Sequence, residues 1–254
     1  MLFLFLFIAG LFIGSFLNVV IDRLPQNKTF ITGRSVCEYC HHALAWYDLF
    51  PLFSFLFLQG KCRYCHKWIG WKYPLIEIVT GSSFSLIGLL FFLQSSMSLL
   101  FLVLQLVIIS CFIILFFIDL WYGILPDEIL LPLLLLSLLF HFILPFSWIN
   151  IILSGAIASL FFLSLYLVTK GVGMGLGDVK LVGVMGIFLG FPNILISLYL
   201  AFLTGALVAI ILVLYKKKHF NGGTIPFGPF LILSTYISVF FGNNIWHIIV
   251  KFFL

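Results

Sequence analysis

The sequence predicts an all-α fold, a polytopic membrane helix bundle of about eight transmembrane helices. Of its 254 residues, 63% are hydrophobic, 8% are charged and 32 are Phe. Soluble domains carry about 25% charged residues, and a soluble core could not hide this much apolar surface. A membrane β-barrel would show alternating polarity, whereas unbroken runs of Leu, Ile and Phe are typical of helices.

Polar breaks divide the chain into apolar stretches, most of which approach the roughly 20 residues that a helix needs to cross a bilayer. These stretches are 1–21, 74–93, 98–118, 128–146, 149–168, 179–192, 194–215 and 226–250. The sixth stretch is too short to cross a bilayer unless its helix begins in the Gly-rich segment before it. Seven crossings are therefore the alternative. The first has no basic n-region and no convincing cleavage site, which favours a retained helix over a secretory signal. Its Gly10 and Gly14 are spaced for close helix packing.

The basic residues indicate the orientation, because cytoplasmic loops carry the excess of Lys and Arg. Twelve of the 13 lie in three predicted loops: Arg23, Lys28, Arg34, Lys61, Arg63, Lys67 and Lys72; Lys170 and Lys180; and Lys216, Lys217 and Lys218. With eight crossings and an outside N-terminus, all three loops face the cytoplasm, and all eight acidic residues lie in or beside inward-facing segments. Membrane orientation therefore explains the net charge of +5, and no motif for reading nucleic acid is present.

Two cysteine pairs lie in the one sizeable soluble segment, residues 22–73. Cys37-x-x-Cys40 and Cys62-x-x-Cys65 are separated by 21 residues, a spacing typical of a structural Zn²⁺ site with four thiolate ligands. The ion would stabilise a loop too short for its own core. Disulfides are disfavoured in a reducing compartment. Redox chemistry by one pair is an alternative, and one sulfur ligand could be replaced by a neighbouring histidine, His41, His42 or His66. The fold class thus includes a small cytoplasmic zinc-binding loop.

Two aspartates at membrane depth are the strongest functional candidates, because an ionisable group there is costly. Asp119 ends the third long helix, and Asp178 closes a Gly-rich segment just before the sixth. Two carboxyl groups in a partly apolar site cannot both ionise easily, so one keeps its proton while the other accepts one from water. This is the chemistry of aspartic proteases. The glycines would let an extended peptide approach Asp178.

Two further acidic residues have structural interpretations beside the functional ones. Asp127, after Pro126, is expected to stabilise the free N–H groups of a helix start. Glu77 lies one turn into the second helix, where it either pairs with a basic loop residue or extends to the membrane interface.

Taken together, these motifs resemble the prepilin peptidases, the type IV leader peptidases of bacteria with a GxGD aspartic site. The likeness covers nearly the whole chain. It is carried by residues 14–20 and 23–25, both cysteine pairs, residues 60–61 and 73–77, Asp119 with residues 125–127, residues 173–180 and residues 226–229.

The resemblance implies an enzyme that cuts the basic leader from type IV prepilin-like precursors at the cytoplasmic face of the bacterial inner or plasma membrane. Asp119 and Asp178 match the catalytic pair, supported by Gly175, Gly177, Pro126 and Asp127. It also implies N-methylation of the new N-terminal residue with S-adenosylmethionine as donor. The positions that match the methyltransferase part are Gly14, Asn18, Arg23, Gly60, Lys61 and Glu77. Residues 1–95 would form that part and residues 96–254 the peptidase.

Two other classes of function compete with this interpretation. Intramembrane aspartates also mark ion paths, but the sequence shows no internal repeat and no acidic residue near the outer face, as a transporter would require. A zinc-stabilised assembly protein without catalysis would leave the segment from Gly173 to Asp178 unexplained. The sequence does not indicate an oligomeric state.

Overall fold

The computed structural model describes residues 1–93, 98–143, 147–171, 174–215 and 226–253. Gly173 and the basic run Lys216–Lys218 lie outside these residues. The described residues form nine α-helices, α1 to α9, and no β-strand beyond two isolated bridges. The helices are α1 Leu2–Arg23, α2 Phe53–Phe57, α3 Lys72–Leu93, α4 Leu99–Tyr122, α5 Asp127–Ile143, α6 Trp148–Val168, α7 Leu176–Leu189, α8 Asn193–Leu214 and α9 Gly228–Phe253.

The predicted fold class is confirmed, because each of the eight apolar stretches contains one long helix. Five helices, α1, α3, α4, α6 and α8, are long and apolar enough to cross a membrane. The helices α5 and α7 have 17 and 14 residues, which is short of the roughly 20 needed for a full crossing. The short helix α2 lies within the segment predicted to be a soluble loop, and the sequence did not indicate it.

The chain divides into two compact units, Met1–Ile114 and Leu115–Leu254. In the first unit, α1 packs along α3 at glycines, as the spacing of Gly10 and Gly14 predicts. A Cβ atom on Gly10 would lie 2.7 Å from the Cα of Gly81, and one on Gly14 would lie 2.8 Å from the Cα of Glu77. The two backbones therefore touch, and no larger residue fits at either position.

In the second unit, α7 is the central helix and contacts α5, α6, α8 and α9. It meets α6 at another pair of glycines, where a Cβ atom on Gly186 would lie 2.6 Å from the Cα of Gly155. It ends at Gly190, whose φ of 65° is a conformation that favours glycine. The final two turns of α4 belong to this unit and carry Asp119.

Candidate functional site

The sequence suggested that Asp178 lies just before α7. In the structure it lies in the first turn of that helix. Its Oδ2 accepts a hydrogen bond of 3.2 Å from the backbone N–H of Gly175, and its own N–H donates to the Gly175 carbonyl. This reciprocal arrangement stabilises the helix start. The residue is only 8% exposed, so the helix end holds a carboxyl group in a fixed position away from bulk water.

The two glycines of the GxGD segment have different surroundings. A Cβ atom on Gly177 would lie 3.0 Å from the Cβ of Leu125, so this position packs against the chain before α5. A Cβ on Gly175 would meet nothing nearer than 3.8 Å. Neither glycine has a positive φ, so a tight turn is not the reason for them. The backbone beside Asp178 is thus open on the Gly175 side.

Asp119 lies in the last turn of α4 and is 5% exposed. Its carboxyl group lies against Gly228, the first residue of α9, whose backbone N–H faces it. The Oδ2 atom is buried and makes no well-formed hydrogen bond among the described residues. Because this buried oxygen has no well-formed hydrogen bond, it can accept one from another molecule.

The carboxyl groups of Asp119 and Asp178 are close enough for their charges to interact. They come from the end of α4 and the start of α7, 59 positions apart in sequence, and both belong to the second unit. The structure therefore brings together the two aspartates that the sequence singled out. Two carboxyl groups in this range can act as acid and base on a water and a peptide bond placed between them.

Asp127 has a different environment from the two buried aspartates. It is the first residue of α5, as its position after Pro126 predicts, and its carboxylate also pairs with Lys180 of α7 at 2.8 Å. Both side chains are about half exposed. This ion pair connects the chain that follows Asp119 to the helix that carries Asp178, and the sequence gave no indication of it.

The four cysteines of the first unit form a group that could hold a metal ion. Their Sγ atoms all lie within 4.8 Å of one another, and those of Cys37 and Cys65 are 3.8 Å apart. Four sulfurs bound to a tetrahedral zinc ion at about 2.3 Å would be about 3.8 Å apart. All four are free thiols, so the donor set fits a thiolate-bound ion.

Each cysteine pair forms a knuckle with the same backbone pattern. Cys37 N–H donates to the His42 carbonyl and His41 N–H to the Cys37 carbonyl, and the second knuckle repeats these bonds with Cys62. His41 and His66 both have φ of 56°, so they occupy the turns of the knuckles. No histidine belongs to the possible metal group among the described residues.

The environment of Cys37 favours its thiolate form. Burial by itself raises the pKa of the thiol, but hydrogen bonds from the Cys40 and Tyr39 backbone, and those with the Cys40 and Cys62 side chains, outweigh it. The net result lowers the pKa from 9.0 to about 7. Because metals bind the thiolate, this environment assists metal binding near neutral pH.

A cavity of about 620 Å³ lies within the first unit, and three predicted methyltransferase residues line it: Asn18, Arg23 and Glu77. Asn18 donates to the Tyr73 carbonyl at 3.2 Å, which connects α1 to the start of α3. Arg23 donates to the carbonyls of Thr29, Thr32 and Arg34 and so holds the chain that leaves α1. Each of these two side chains therefore also has a structural role.

Among the described residues, Glu77 pairs with no basic side chain, which was one of the two arrangements that the sequence suggested. Its Oε2 accepts a hydrogen bond of 2.9 Å from the backbone N–H of Leu52, and the residue is buried. The observed partner is a backbone group 25 positions away, which no sequence pattern reveals.

The other three predicted methyltransferase residues do not line the cavity. Gly14 lies in the α1–α3 contact. Gly60 has a φ of +72°, and its Cβ would overlap the Trp68 ring, so glycine is needed there for packing. Lys61 follows it and forms an isolated bridge with Trp68.

Four residues of this unit form an ionic network that sequence reasoning missed. Lys72 Nζ lies 3.1 Å from Asp22 and 3.3 Å from Glu38, and the Tyr73 hydroxyl donates to Glu38 at 2.9 Å. Asp22, Glu38 and Tyr73 line the cavity. Burial tends to raise the pKa of Glu38, but Tyr73 and Lys72 outweigh it and hold that pKa below its usual value. The cavity lining thus carries both signs of charge, because Arg23, Lys28 and Arg63 line it together with these acidic residues.

A helical, multi-pass membrane fold with two buried carboxyl groups in one unit defines the class of membrane aspartic peptidases. Residues 8–91 match the family described as "Bacterial Peptidase A24 N-terminal domain", and residues 106–210 match "Type IV leader peptidase family". The chain belongs to the type IV leader peptidase family.

Curated relatives align along nearly the whole chain. A prepilin leader peptidase/N-methyltransferase of Aeromonas salmonicida is 34% identical over 95% of this chain and 92% of its own length. Proteins of the same description from Pseudomonas aeruginosa and Bacillus subtilis are 30% and 32% identical, over 96% and 97% of this chain and 92% and 97% of their own lengths. No solved structure matches the chain.

Proposed function

We propose that this chain cleaves the basic leader from type IV prepilin-like precursors at the cytoplasmic face of the membrane, with Asp119 and Asp178 as the catalytic pair. The observation that carries the proposal is that these two carboxyl groups are both buried in one unit, within the range at which their charges interact. The relatives, described as prepilin leader peptidases, support the choice of substrate. The crowding of Lys and Arg in the predicted inward loops supports the choice of face.

In the proposed reaction, one carboxylate takes a proton from water as the water oxygen attacks the scissile carbonyl carbon. The other, protonated carboxyl group donates its proton to the carbonyl oxygen. Collapse of the tetrahedral intermediate breaks the C–N bond as the first carboxyl group gives its proton to the leaving amine. The second takes a proton back from a hydroxyl of the intermediate, which restores the pair. The open space at Gly175 supports approach of an extended substrate backbone. Gly177, Pro126 and Asp127 would hold the surrounding chain in place.

We also propose that the first unit methylates the newly exposed N-terminal amine, with S-adenosylmethionine supplying the methyl group. A cavity of about 620 Å³ lies within the usual range for small-molecule sites. Its acidic residues, such as Asp22 and Glu38, offer sites for the cationic sulfonium, and its basic residues, such as Arg23, offer sites for the carboxylate of the donor. Phe55 and Tyr73 supply aromatic surface. Residues 1–95 would thus carry methyl transfer and residues 96–254 proteolysis.

The metal in this proposal is Zn²⁺, bound by Cys37, Cys40, Cys62 and Cys65. Four sulfur ligands leave no position for substrate, so the ion would hold the two knuckles together rather than take part in either reaction.

The proposal is tested with the purified full chain in vesicles and a precursor that has a basic leader, Gly and a Phe-led apolar helix. Cleavage after the Gly is expected without added S-adenosylmethionine. With the donor, the mature product should gain the mass of one methyl group. An intact precursor would contradict the peptidase proposal, and cleavage without methylation would restrict the chain to proteolysis.

A further inference from the structure

Residues 49–58 form an apolar run inside the segment that the sequence predicts to be soluble. Eight of the ten are Leu or Phe, and the run contains α2. Three of its side chains, Phe53, Leu56 and Phe57, are 67%, 68% and 84% exposed. A contiguous apolar surface of this kind is unfavourable in water and marks a binding surface or a membrane contact. Ten helical residues span only about 15 Å, so the run cannot cross a bilayer.

The run lies beside the membrane-spanning part of α1. The Phe50 ring packs edge to face on the Phe12 ring with centroids 5.2 Å apart, and the Ser15 hydroxyl donates to the Leu49 carbonyl. Phe12 lies eleven residues before Arg23, about 16 Å along the helix. The headgroup region of one leaflet is only about 5–8 Å thick. With Arg23 at the polar surface, Phe50 therefore lies at the depth of the hydrocarbon.

Five of the nine backbone N–H groups of the run have identified acceptors, which lowers the cost of inserting the run into lipid. The N–H groups of Phe53, Ser54, Leu56 and Leu58 donate to carbonyls within the run, and Pro51 has no N–H. The chain turns sharply at Leu52, just before α2, where φ is 57°. The Leu52 N–H donates to Glu77 of the membrane-spanning helix α3. A membrane helix thus supplies the acceptor for a backbone group that lipid could not satisfy.

Aromatic residues with polar groups flank the run on both sides. Trp46 and Tyr47 precede it, Trp68 and Trp71 follow it, and all four are exposed. Trp and Tyr are enriched where protein crosses between lipid and water. Lys61 and Lys67 lie between the run and Trp68, where their charges suit a position near lipid headgroups. This order, from interface to apolar run and back, is typical of a segment inserted from one side.

We propose that residues 49–58 are a re-entrant membrane segment, inserted into the leaflet on the side of the cysteine loop, with Phe53, Leu56 and Phe57 in contact with lipid acyl chains. The occupant of this surface is lipid because the run continues the lipid-facing side of α1 at Phe12. Leu49, Ser54, Phe55 and Leu58 also line the cavity of the first unit. One wall of that cavity is therefore formed by a membrane-inserted segment. The proposal does not depend on either enzymatic activity.

Photocrosslinking to lipid tests this inference. The photoreactive residue p-benzoylphenylalanine would replace Phe57 in the full chain, reconstituted into vesicles of phosphatidylethanolamine and phosphatidylglycerol. The same replacement at Phe53 provides a second variant in case the first does not fold. The control is Ile31, an 85% exposed apolar residue in the segment that Arg23 holds through the neighbouring Thr29 and Thr32 carbonyls. After illumination, lipid adducts are measured by mass spectrometry of the intact chain.

Lipid adducts at Phe57 and Phe53, several-fold more abundant than at Ile31, are the expected result. Equal adduct levels at all three positions, or none, would overturn the proposal. The experiment is repeated with a co-reconstituted prepilin-like precursor. Adducts to the precursor in place of lipid would show that the surface docks protein, and this also would overturn it.

Discussion

The carboxyl group of Asp119 lies directly against the backbone of Gly228, at the start of α9. A Cβ atom at position 228 would approach the Asp119 Cγ to 3.0 Å and overlap its Oδ2. Position 228 must therefore remain glycine if Asp119 is to keep its orientation, although its φ is one that any residue can adopt.

Replacing Gly228 with Ala is expected to displace the Asp119 carboxyl group and lower the rate of precursor cleavage by about 10²-fold, the effect of a misplacement of about 1 Å. Initial rates in vesicles measure this. The matched control is Gly183→Ala in α7, where the nearest atom to the new methyl group is the Ser159 Cβ at 3.3 Å. Equal rates for both variants would mean that the contact with Gly228 does not position Asp119.

The ion pair between Asp127 and Lys180 is expected to contribute little. Because both side chains are about half exposed, its removal should cost about 0–1 kcal/mol of stability. Lys180→Ala should therefore unfold within a few degrees of the unsubstituted chain and cleave precursor at a similar rate. A large loss of cleavage in a folded variant would show that Lys180 takes part in the reaction.

Metal analysis tests the four-thiol group. The purified chain should contain about one zinc ion for each chain, as expected for a four-sulfur site. Cys37→Ser or Cys62→Ser should lose the ion, because both side chains are buried ligand candidates in the core of the knuckles. Cys111→Ser, which changes the one cysteine outside the group, should keep it. Retention of zinc by the Cys62 variant would contradict the assigned ligands.

Two substitutions at Glu77 separate its charge from its hydrogen bond. Glu77→Gln retains an oxygen that can accept the Leu52 N–H, whereas Glu77→Leu leaves that group unpaired at a cost of about 1–3 kcal/mol. The Gln variant is expected to unfold at nearly the original temperature and the Leu variant several degrees lower. If Gln abolishes methyl transfer while preserving stability, the charge of Glu77 acts in that reaction as well.

The sequence predicts most of the fold because the apolar runs are long. Each of the eight stretches became a helix within a few residues of the expected bounds, since a run of this length has few alternatives in a membrane. The sequence did not predict α2, because the apolar run that contains it is short. Ten apolar residues between two cysteine pairs are too few for a crossing, and their placement depends on contacts with Phe12 and Glu77, which are distant in sequence.

The candidate site was predictable in its residue types but not in its contacts. The cost of a carboxyl group at membrane depth singles out Asp119 and Asp178, and the cysteine spacing singles out the four thiols. The packing of Gly228 against Asp119 and of Gly177 against Leu125 arises only from the crossing of helices. The sequence placed Asp178 just before α7 and expected that helix to need residues from the Gly-rich segment. In the structure, Gly177 and Asp178 lie in its first turn.

The central claim is that Asp119 and Asp178 carry out proteolysis together. Asp119→Asn and Asp178→Asn, each purified in vesicles and assayed with the same precursor, test it most directly, with the exposed Glu128→Gln as control. Each Asp variant should lose about 10²–10⁴-fold or more in the rate of cleavage while retaining its zinc and its methylation of an already processed substrate, and the control should cleave normally. Normal cleavage by either Asp variant would contradict the account.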